Sequence, residues 1–203
     1  MNSLANIDTT KAKPITIEHR LRIIQDDCDI NPREEFDHIA TMFCEHRRYT
    51  LGDKKADDIR VENERTGELE FPDGYLVLPL YLYDHSGLTI STGAFSCRWD
   101  SGQVGYIYMS KKDAIANFGK KRLTKKVIAR ALDCMRAEVK EYDDYLTGNV
   151  YGFEYEQVAV NADGEEQMLE EDSCWGFFGY DPECNGIADH LPVNLADCIV
   201  TRE

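Results

Sequence analysis

The C-terminal quarter of the chain combines a high negative charge with regularly spaced aromatic residues. Residues 150–203 contain thirteen carboxylates and one cation, Arg202, so this segment carries a net charge of −12 within a 203-residue chain of net charge −15. An acidic tail without apolar residues would stay unfolded, because it could not offset the entropy of ordering the backbone. Here the stretch YGFEYEQVAV alternates apolar with polar side chains, as half-buried strands do. The segment is therefore expected to fold.

The same alternation predicts a hairpin over residues 150–180. Asn161 to Gly164 read NADG, a turn sequence, and the stretch EEQMLEEDSCWGFF returns along the first strand. Successive strand residues point to opposite faces, so we expect an apolar face and an exposed face that displays a ladder of carboxylates. The residues predicted to contact a partner through that ladder are Glu154, Glu156, Glu165, Glu166, Glu170, Glu171 and Asp172.

The other apolar patterns predict an α+β fold with a single antiparallel sheet. A stripe of apolar residues at helical spacing predicts one long helix over 124–146, with Thr124 as its N-cap, packed on the sheet together with shorter helices. Residues 1–14 are predicted to be a flexible lead-in, and 15–203 a single domain that includes the acidic hairpin. Strands are predicted over 15–23, 75–83, 88–95 and 104–109, and a short helix between residues 33 and 49.

Residues 111–126 reverse the charge of the chain. They hold seven cations and one carboxylate, Asp113. These cations either neutralise neighbouring acids or contact phosphate groups, and the candidates for phosphate contact are Lys120, Lys121, Arg122, Lys125 and Lys126. A helix-turn-helix DNA reader fits poorly, because Ile115 occupies a position where that motif takes a small residue. The negative charge of the whole chain also opposes direct DNA binding.

Residues 84–105 are the segment richest in reactive side chains. A Cys97–His85 nucleophile pair, oriented by Asp84 or Asp100, is one interpretation; a glycine-rich β-meander with Cys97 and Trp99 in core or turn positions is the other. The meander is favoured and would leave His85 exposed at a turn. No catalytic residue is assigned.

A second unusual cluster is EHRRY, residues 45–49. Arg47 and Arg48 beside Tyr49 would suit the clamping of a carboxylate or a phosphate. Pairing with the surplus acids of the chain is the favoured alternative.

Cysteine and histidine spacings predict neither a metal site nor a disulfide framework, and no cofactor is expected. The seven cysteines are odd in number, scattered and without a C-x-x-C pair, and residues 1–14 lack the apolar stretch of a secretory signal. The longest apolar run, residues 76–82, is too short to cross a membrane. These features predict free thiols in a reducing cytoplasm.

Five stretches resemble an uncharacterised family of small proteins from bacteriophages and other mobile genetic elements. They are NPREEFDHIATMFCEHRRYTLGD (31–53), LPLYLYDHSG (78–87), SCRWDSGQVGYIYMS (96–110), YLTGNVYGFE (145–154) and DSCWGFFGYD (172–181). The resemblance implies an accessory protein that acts in a bacterial cytoplasm on behalf of an element that must survive host defences. It implies no catalytic residue.

Charge and resemblance together predict an inhibitor. A folded acidic surface repels nucleic acid and attracts the basic grooves of proteins that bind it. The expected partner is a host nucleic-acid-binding defence protein or nuclease complex, bound by carboxylates that stand in for phosphates. The alternatives are an enzyme with its site in residues 84–105, and a DNA-associated accessory factor that uses the basic residues 111–126. Homo-oligomers are also possible, and no membrane association is expected.

Overall fold

The computed structural model describes residues 15–27, 29–54, 59–63, 65, 67 and 69–203. The predicted lead-in, residues 1–14, lies outside the described residues. The described chain contains ten strands, four α-helices and a short 3₁₀ turn, Leu195–Asp197. The elements are β1 (Ile15–Gln25), α1 (Pro32–Glu35), β2 (Thr41–Cys44), β3 (Val61–Glu62), β4 (Leu69–Glu70), β5 (Tyr75–Asp84), β6 (Leu88–Ser91), β7 (Ser101–Ser110), α2 (Lys111–Asn117), α3 (Lys125–Thr147), β8 (Val150–Asn161), β9 (Glu166–Phe178), α4 (Ile187–His190) and β10 (Cys198–Arg202).

The predicted α+β class with antiparallel strands and one long helix is confirmed. The strands, however, divide into two four-stranded sheets of order β10-β1-β8-β9 and β2-β7-β5-β6 and a β3-β4 ladder, where the sequence predicts one sheet. Every described pair is antiparallel except β1–β10, which is parallel. The two larger sheets have separate hydrophobic cores. The predicted single domain thus comprises two compact units, one with residues 15–26 and 150–203 and one with residues 27–149.

The first unit is organised by the pairing of β1 with β8. In register, Leu21 lies opposite Tyr155 and Ile23 lies opposite Phe153, and all four side chains are almost fully buried. They pack with Phe177 and Ile187, and partly buried residues between 191 and 198 complete this core. Because the strand period is two, the alternate residues of β1 lie on the other face of the sheet.

The second unit is organised by α3, whose predicted bounds are confirmed to within one residue. The Thr124 side chain accepts a hydrogen bond from the Val127 amide, and Gly148 ends the helix in the left-handed conformation. The buried stripe consists of Val127, Ala131, Met135, Val139 and Tyr142, and it packs with Leu80 and Ile107 of the sheet. This amphipathic stripe is the signal that locates the helix in the sequence.

The predicted helix between residues 33 and 49 is wrong. Only Pro32–Glu35 is helical, capped by the Asn31 side chain, and Phe36 already has extended backbone angles. Residues 41–44 form β2, which pairs with β7. Pairing with β7 buries Met42 and Phe43, so the tertiary contacts override the helical spacing of the apolar residues.

The proline within strand β5 lies where the strand is paired on one side only. Pro79 pairs with Tyr106 of β7, but β6 pairs only with residues 81–84 of β5, so the β6 side of Pro79 has no ladder partner. A register shift follows directly, between Leu80 and Tyr81.

A buried arginine ties three segments of the second unit together. The Arg33 side chain is 1% exposed. Its Nε and Nη2 donate to the two carboxylate oxygens of Asp53 over 2.7 and 2.5 Å, and its Nη1 donates to Glu138 Oε2 over 3.0 Å. Burial disfavours the charged guanidinium, but the hydrogen bonds to Asp53 and Glu138 outweigh burial and raise the pKa of Arg33. Since Asp53 also accepts from the Met42 amide over 2.7 Å, the network fixes β2.

Candidate functional site

The acidic hairpin forms at the edge of its sheet. Strand β9 pairs only with β8, and residues 166–173 are all exposed. The predicted turn is present: the Asn161 side-chain oxygen accepts from the amides of Asp163 and Glu165 over 3.0 and 2.9 Å. Glu165 is held at this turn, because its Oε2 accepts from Asn161 Nδ2 over 2.7 Å.

The carboxylates of β9 do not share one face, which corrects the prediction of a single acidic ladder. Glu171 lies opposite Glu156, whereas Asp172 lies opposite the buried Tyr155 and Glu170 opposite Gln157. Consecutive strand residues point to opposite faces, so Glu171 shares a face with Glu156, and Glu170 and Asp172 lie on the other. The pKa of the Tyr155 hydroxyl is raised by burial and then by the charge of Glu170, as expected for groups on the same face. Strand β9 therefore presents negative charge on both faces of the sheet edge.

Two arginines of β1 neutralise part of the predicted ladder. Arg22 lies 3.3 Å from Glu154 and 3.7 Å from Glu156, and Arg20 lies 2.6 Å from Glu166. The hydrogen bond from Arg20 holds the pKa of Glu166 below its ordinary value. These partners could not be predicted from the sequence: the alternation in β1 places Arg20 and Arg22 on one face, but nothing local shows that β8 lies beside them.

Three predicted contact residues have no ion-pair partner in the described part of the chain. Among the described residues, no cation lies within ion-pair distance of Glu170, Glu171 or Asp172. Together with Glu154 and Glu156, Glu171 borders a shallow depression of about 470 Å³. Glu170, Glu171 and Asp172 are called the acidic triplet below.

The basic residues 120–126 have no ion-pair partner among the described acids. No carboxylate of the described chain forms an ion pair with the five predicted phosphate-contacting residues, Lys120, Lys121, Arg122, Lys125 and Lys126. The internal-pairing interpretation is thus not supported for them. Four of the five border a cavity of about 380 Å³; Lys125 does not, and Phe118 and Arg130 join the lining. Arg130 follows Lys126 by one helical turn, so the helical spacing in the sequence already indicates that the two cations are neighbours.

Residues 84–105 bring Cys97, Asp100 and His85 together, but not as a nucleophile, base and orienting acid. Asp100 Oδ2 lies 3.1 Å from His85 Nδ1 and 3.7 Å from Cys97 Sγ, so the carboxylate stands between the thiol and the imidazole. A catalytic base must instead contact the nucleophile directly and be oriented by the acid behind it. The His85 side chain is 62% exposed, which confirms its predicted place at an exposed turn. Trp99 is 95% exposed and lies in a bend, so of the two predicted positions, core or turn, it occupies the turn.

Residues 45–48 of the EHRRY cluster border a cavity of about 620 Å³ together with Leu82, Asp84 and residues 99–104. Arg48 forms an ion pair with Asp84 and stacks over Tyr49 with its guanidinium carbon 5.3 Å from the ring centre. The favoured interpretation, internal pairing, therefore holds for Arg48. Arg47 forms no ion pair with any described residue and is exposed.

Metal-binding and thiol chemistry find little support in the described part of the chain. No group of three or more His, Cys, Asp or Glu residues is arranged there to hold a metal ion. The six described cysteines are free thiols, and the seventh, Cys28, lies outside the described residues. Burial, followed by the charge of Asp53, raises the pKa of Cys44 to about 12, so this thiol is not reactive in the folded protein. Among the described helices, none combines the length and the apolar character needed to cross a lipid bilayer.

Comparison with known proteins gives no match: no family model, no curated protein and no solved structure is similar to this chain. Function is therefore argued from the two charged surfaces and from the arrangement of their residues.

Proposed function

We propose that the protein binds the basic, nucleic-acid-binding surface of another protein through strand β9 and blocks that surface. The observation that carries this proposal is the acidic triplet: three consecutive exposed carboxylates on an edge strand, with no described cation in ion-pair range. No described cation competes with a partner for these three carboxylates, whereas Glu154, Glu156 and Glu166 already pair with arginines.

The edge position supports contact with a groove. An edge strand is unpaired on one side, so a partner can approach it along the rim of the sheet. Carboxylates on both faces of β9 can then contact both walls of a basic cleft. Phosphates of a nucleic acid are similarly distributed around the strand that a cleft encloses. Two copies of this chain would not pair readily through β9, because like charges would then face each other.

The resemblance to proteins of phages and mobile elements supports the kind of partner. We propose a host defence protein or nuclease complex that binds nucleic acid, encountered in the bacterial cytoplasm. Acidic surfaces suit such an encounter, since opposite charges steer association and accelerate it.

Neutralising the acidic triplet tests this proposal. The protein is immobilised, proteins from a bacterial lysate are captured at low salt, and those displaced by free duplex DNA are identified. We expect the variant Glu170→Gln/Glu171→Gln/Asp172→Asn to associate with the captured protein roughly tenfold to a hundredfold more slowly, because steering depends on these charges. The rate is measured by surface plasmon resonance at several salt concentrations.

A matched control separates local contact from net charge. The variant Glu183→Gln/Asp189→Asn/Glu203→Gln removes the same number of charges from exposed positions outside β9. If both variants weaken binding equally, the effect is one of total charge and the proposed contact through β9 is wrong. Unchanged binding by the β9 variant would also show that the proposed contact through β9 is wrong.

A separate variant tests the enzyme alternative. We expect His85→Ala/Cys97→Ala to stay folded and to bind the captured protein as the unmodified chain does, because the two side chains are joined only through Asp100. Exposed pairs of this kind contribute no more than about 1 kcal/mol to stability. Binding is measured in the same resonance assay and folding by circular dichroism. The enzyme alternative would be favoured if the folded double variant no longer inhibited the target while the β9 variant still inhibited it.

A further inference from the structure

We propose that the cavity between α2 and the start of α3 binds a small phosphate-bearing molecule of the nucleotide class. The cavity has a volume of about 380 Å³ and lies within the second unit. Ligand sites commonly have volumes of about 300–1,000 Å³, so a mononucleotide is of suitable size.

The charge of the lining selects an anion. Five cations border the cavity, and no carboxylate does: Lys120, Lys121, Arg122, Lys126 and Arg130. Acids outnumber bases by 38 to 23 in this chain, yet none of the described acids forms an ion pair with these five residues. Cations that serve only stability or solubility would be expected to meet some of the surplus acids. Here five exposed cations border one shared space, where they repel one another and an anion would relieve the repulsion.

The wall of the cavity is partly apolar. Val127 is 5% exposed and Phe118 is half-buried, and both line the cavity. The Arg130 guanidinium lies 4.6 Å from the centre of the Phe118 ring, so packing holds this cation in place. A site of this composition favours a ligand with both a phosphate and an apolar or planar part over phosphate alone.

The negative net charge of the chain favours a small ligand over a polynucleotide at this cavity. Net charge is −15, and a long polyanion would approach acidic surface in addition to this cavity. Charges are screened beyond about 8 Å at physiological ionic strength, so a mononucleotide within the cavity interacts mainly with the five cations.

Isothermal titration calorimetry of the intact protein with four probes tests the inference. ADP is expected to bind, inorganic pyrophosphate to bind more weakly, and adenosine to show no detectable binding, because the anion supplies most of the attraction and the ring the remainder. The fourth probe, a single-stranded oligonucleotide, is expected to bind no more tightly per molecule than ADP. Absence of heat with both ADP and pyrophosphate overturns the proposal, and tight binding of the oligonucleotide alone overturns it in favour of a nucleic-acid surface.

Two double variants locate the binding. In Lys121→Gln/Lys126→Gln we expect affinity for ADP to fall at least roughly tenfold, as for the loss of charge-assisted hydrogen bonds. The control, Lys111→Gln/Lys112→Gln, removes the same charge from residues of α2 that do not line the cavity, and its affinity should change less than about twofold. All four side chains are at least partly exposed, so both variants are expected to fold. Equal affinity in the two variants would place the ligand elsewhere and refute this site. The residues concerned are separate from the acidic triplet, so either proposal can fail without the other.

Discussion

Replacing Arg33 by alanine is expected to destabilise the second unit by about 3–5 kcal/mol. The substitution leaves the carboxylates of Asp53 and Glu138 without their cation, at positions where their side chains are 24% and 12% exposed. Removing one partner of a buried ion pair is costly because the remaining charge stays poorly solvated. Urea unfolding followed by far-ultraviolet circular dichroism measures the loss, since α3 belongs to this unit.

An exposed arginine provides the comparison. Arg136 forms an ion pair with Asp133 on the surface of α3, and both side chains are at least half exposed. Arg136→Ala should therefore change the free energy of unfolding by no more than about 0.5 kcal/mol. If Arg33→Ala and Arg136→Ala are equally mild, the buried network does not hold β2 in place. Addition of Asp53→Asn and Glu138→Gln to Arg33→Ala should recover part of the lost stability, because the stranded charges are then removed.

Replacing Gly105 by alanine is the second substitution with a large expected effect. A Cβ at this position would lie 1.9 Å from the Phe43 carbonyl oxygen in the neighbouring strand β2. No flexible side chain can move aside to make space, because the clash is with backbone. Overpacking typically costs about 1–3 kcal/mol and occasionally more, and a displaced strand makes the upper part of that range our expectation. The expected result is a lower urea midpoint with an unchanged slope.

Gly102 in the same strand is the matched control. A Cβ there meets nothing within 4 Å, so Gly102→Ala should be neutral or slightly stabilising through the unfolded state. A Gly105→Ala variant as stable as Gly102→Ala would show that β2 does not lie as close to β7 as described. Because β2 leads directly into the EHRRY cluster, the Gly105 variant should also disturb the cavity bordered by Arg48 and Asp84.

Local periodicity was sufficient to predict the long helix and the acidic hairpin. The stripe from Val127 to Tyr142 repeats at helical spacing, and residues 151–156 alternate with a period of two. The turn at Asn161 and the cap at Thr124 are likewise set by side chains close in sequence. Each of these features depends on contacts that the chain makes with itself over a few residues, so the sequence alone carries them.

The candidate sites depended on contacts between distant residues. The sequence supplied the acidic and basic segments, but only the pairing of β1 with β8 shows that Arg20 and Arg22 neutralise part of the hairpin. The pleat of β9 divides the acidic triplet between two faces, and the pairing with β8 sets which face carries Glu171.

Where the local pattern was ambiguous, the tertiary structure decided the outcome. Phe36 to Phe43 suit a helix by spacing, yet residues 41–44 are a strand because β7 offers them backbone partners and a buried face. Arg33 is buried between Asp53 and Glu138, which lie 20 and 105 residues away along the chain, so no local pattern marks it as a buried residue. The sequence by itself determined the periodicity, the caps and the charge of each segment. The fold determined which strands, charges and cavities meet, because these contacts depend on chain segments far apart in sequence whose pairing no local pattern specifies.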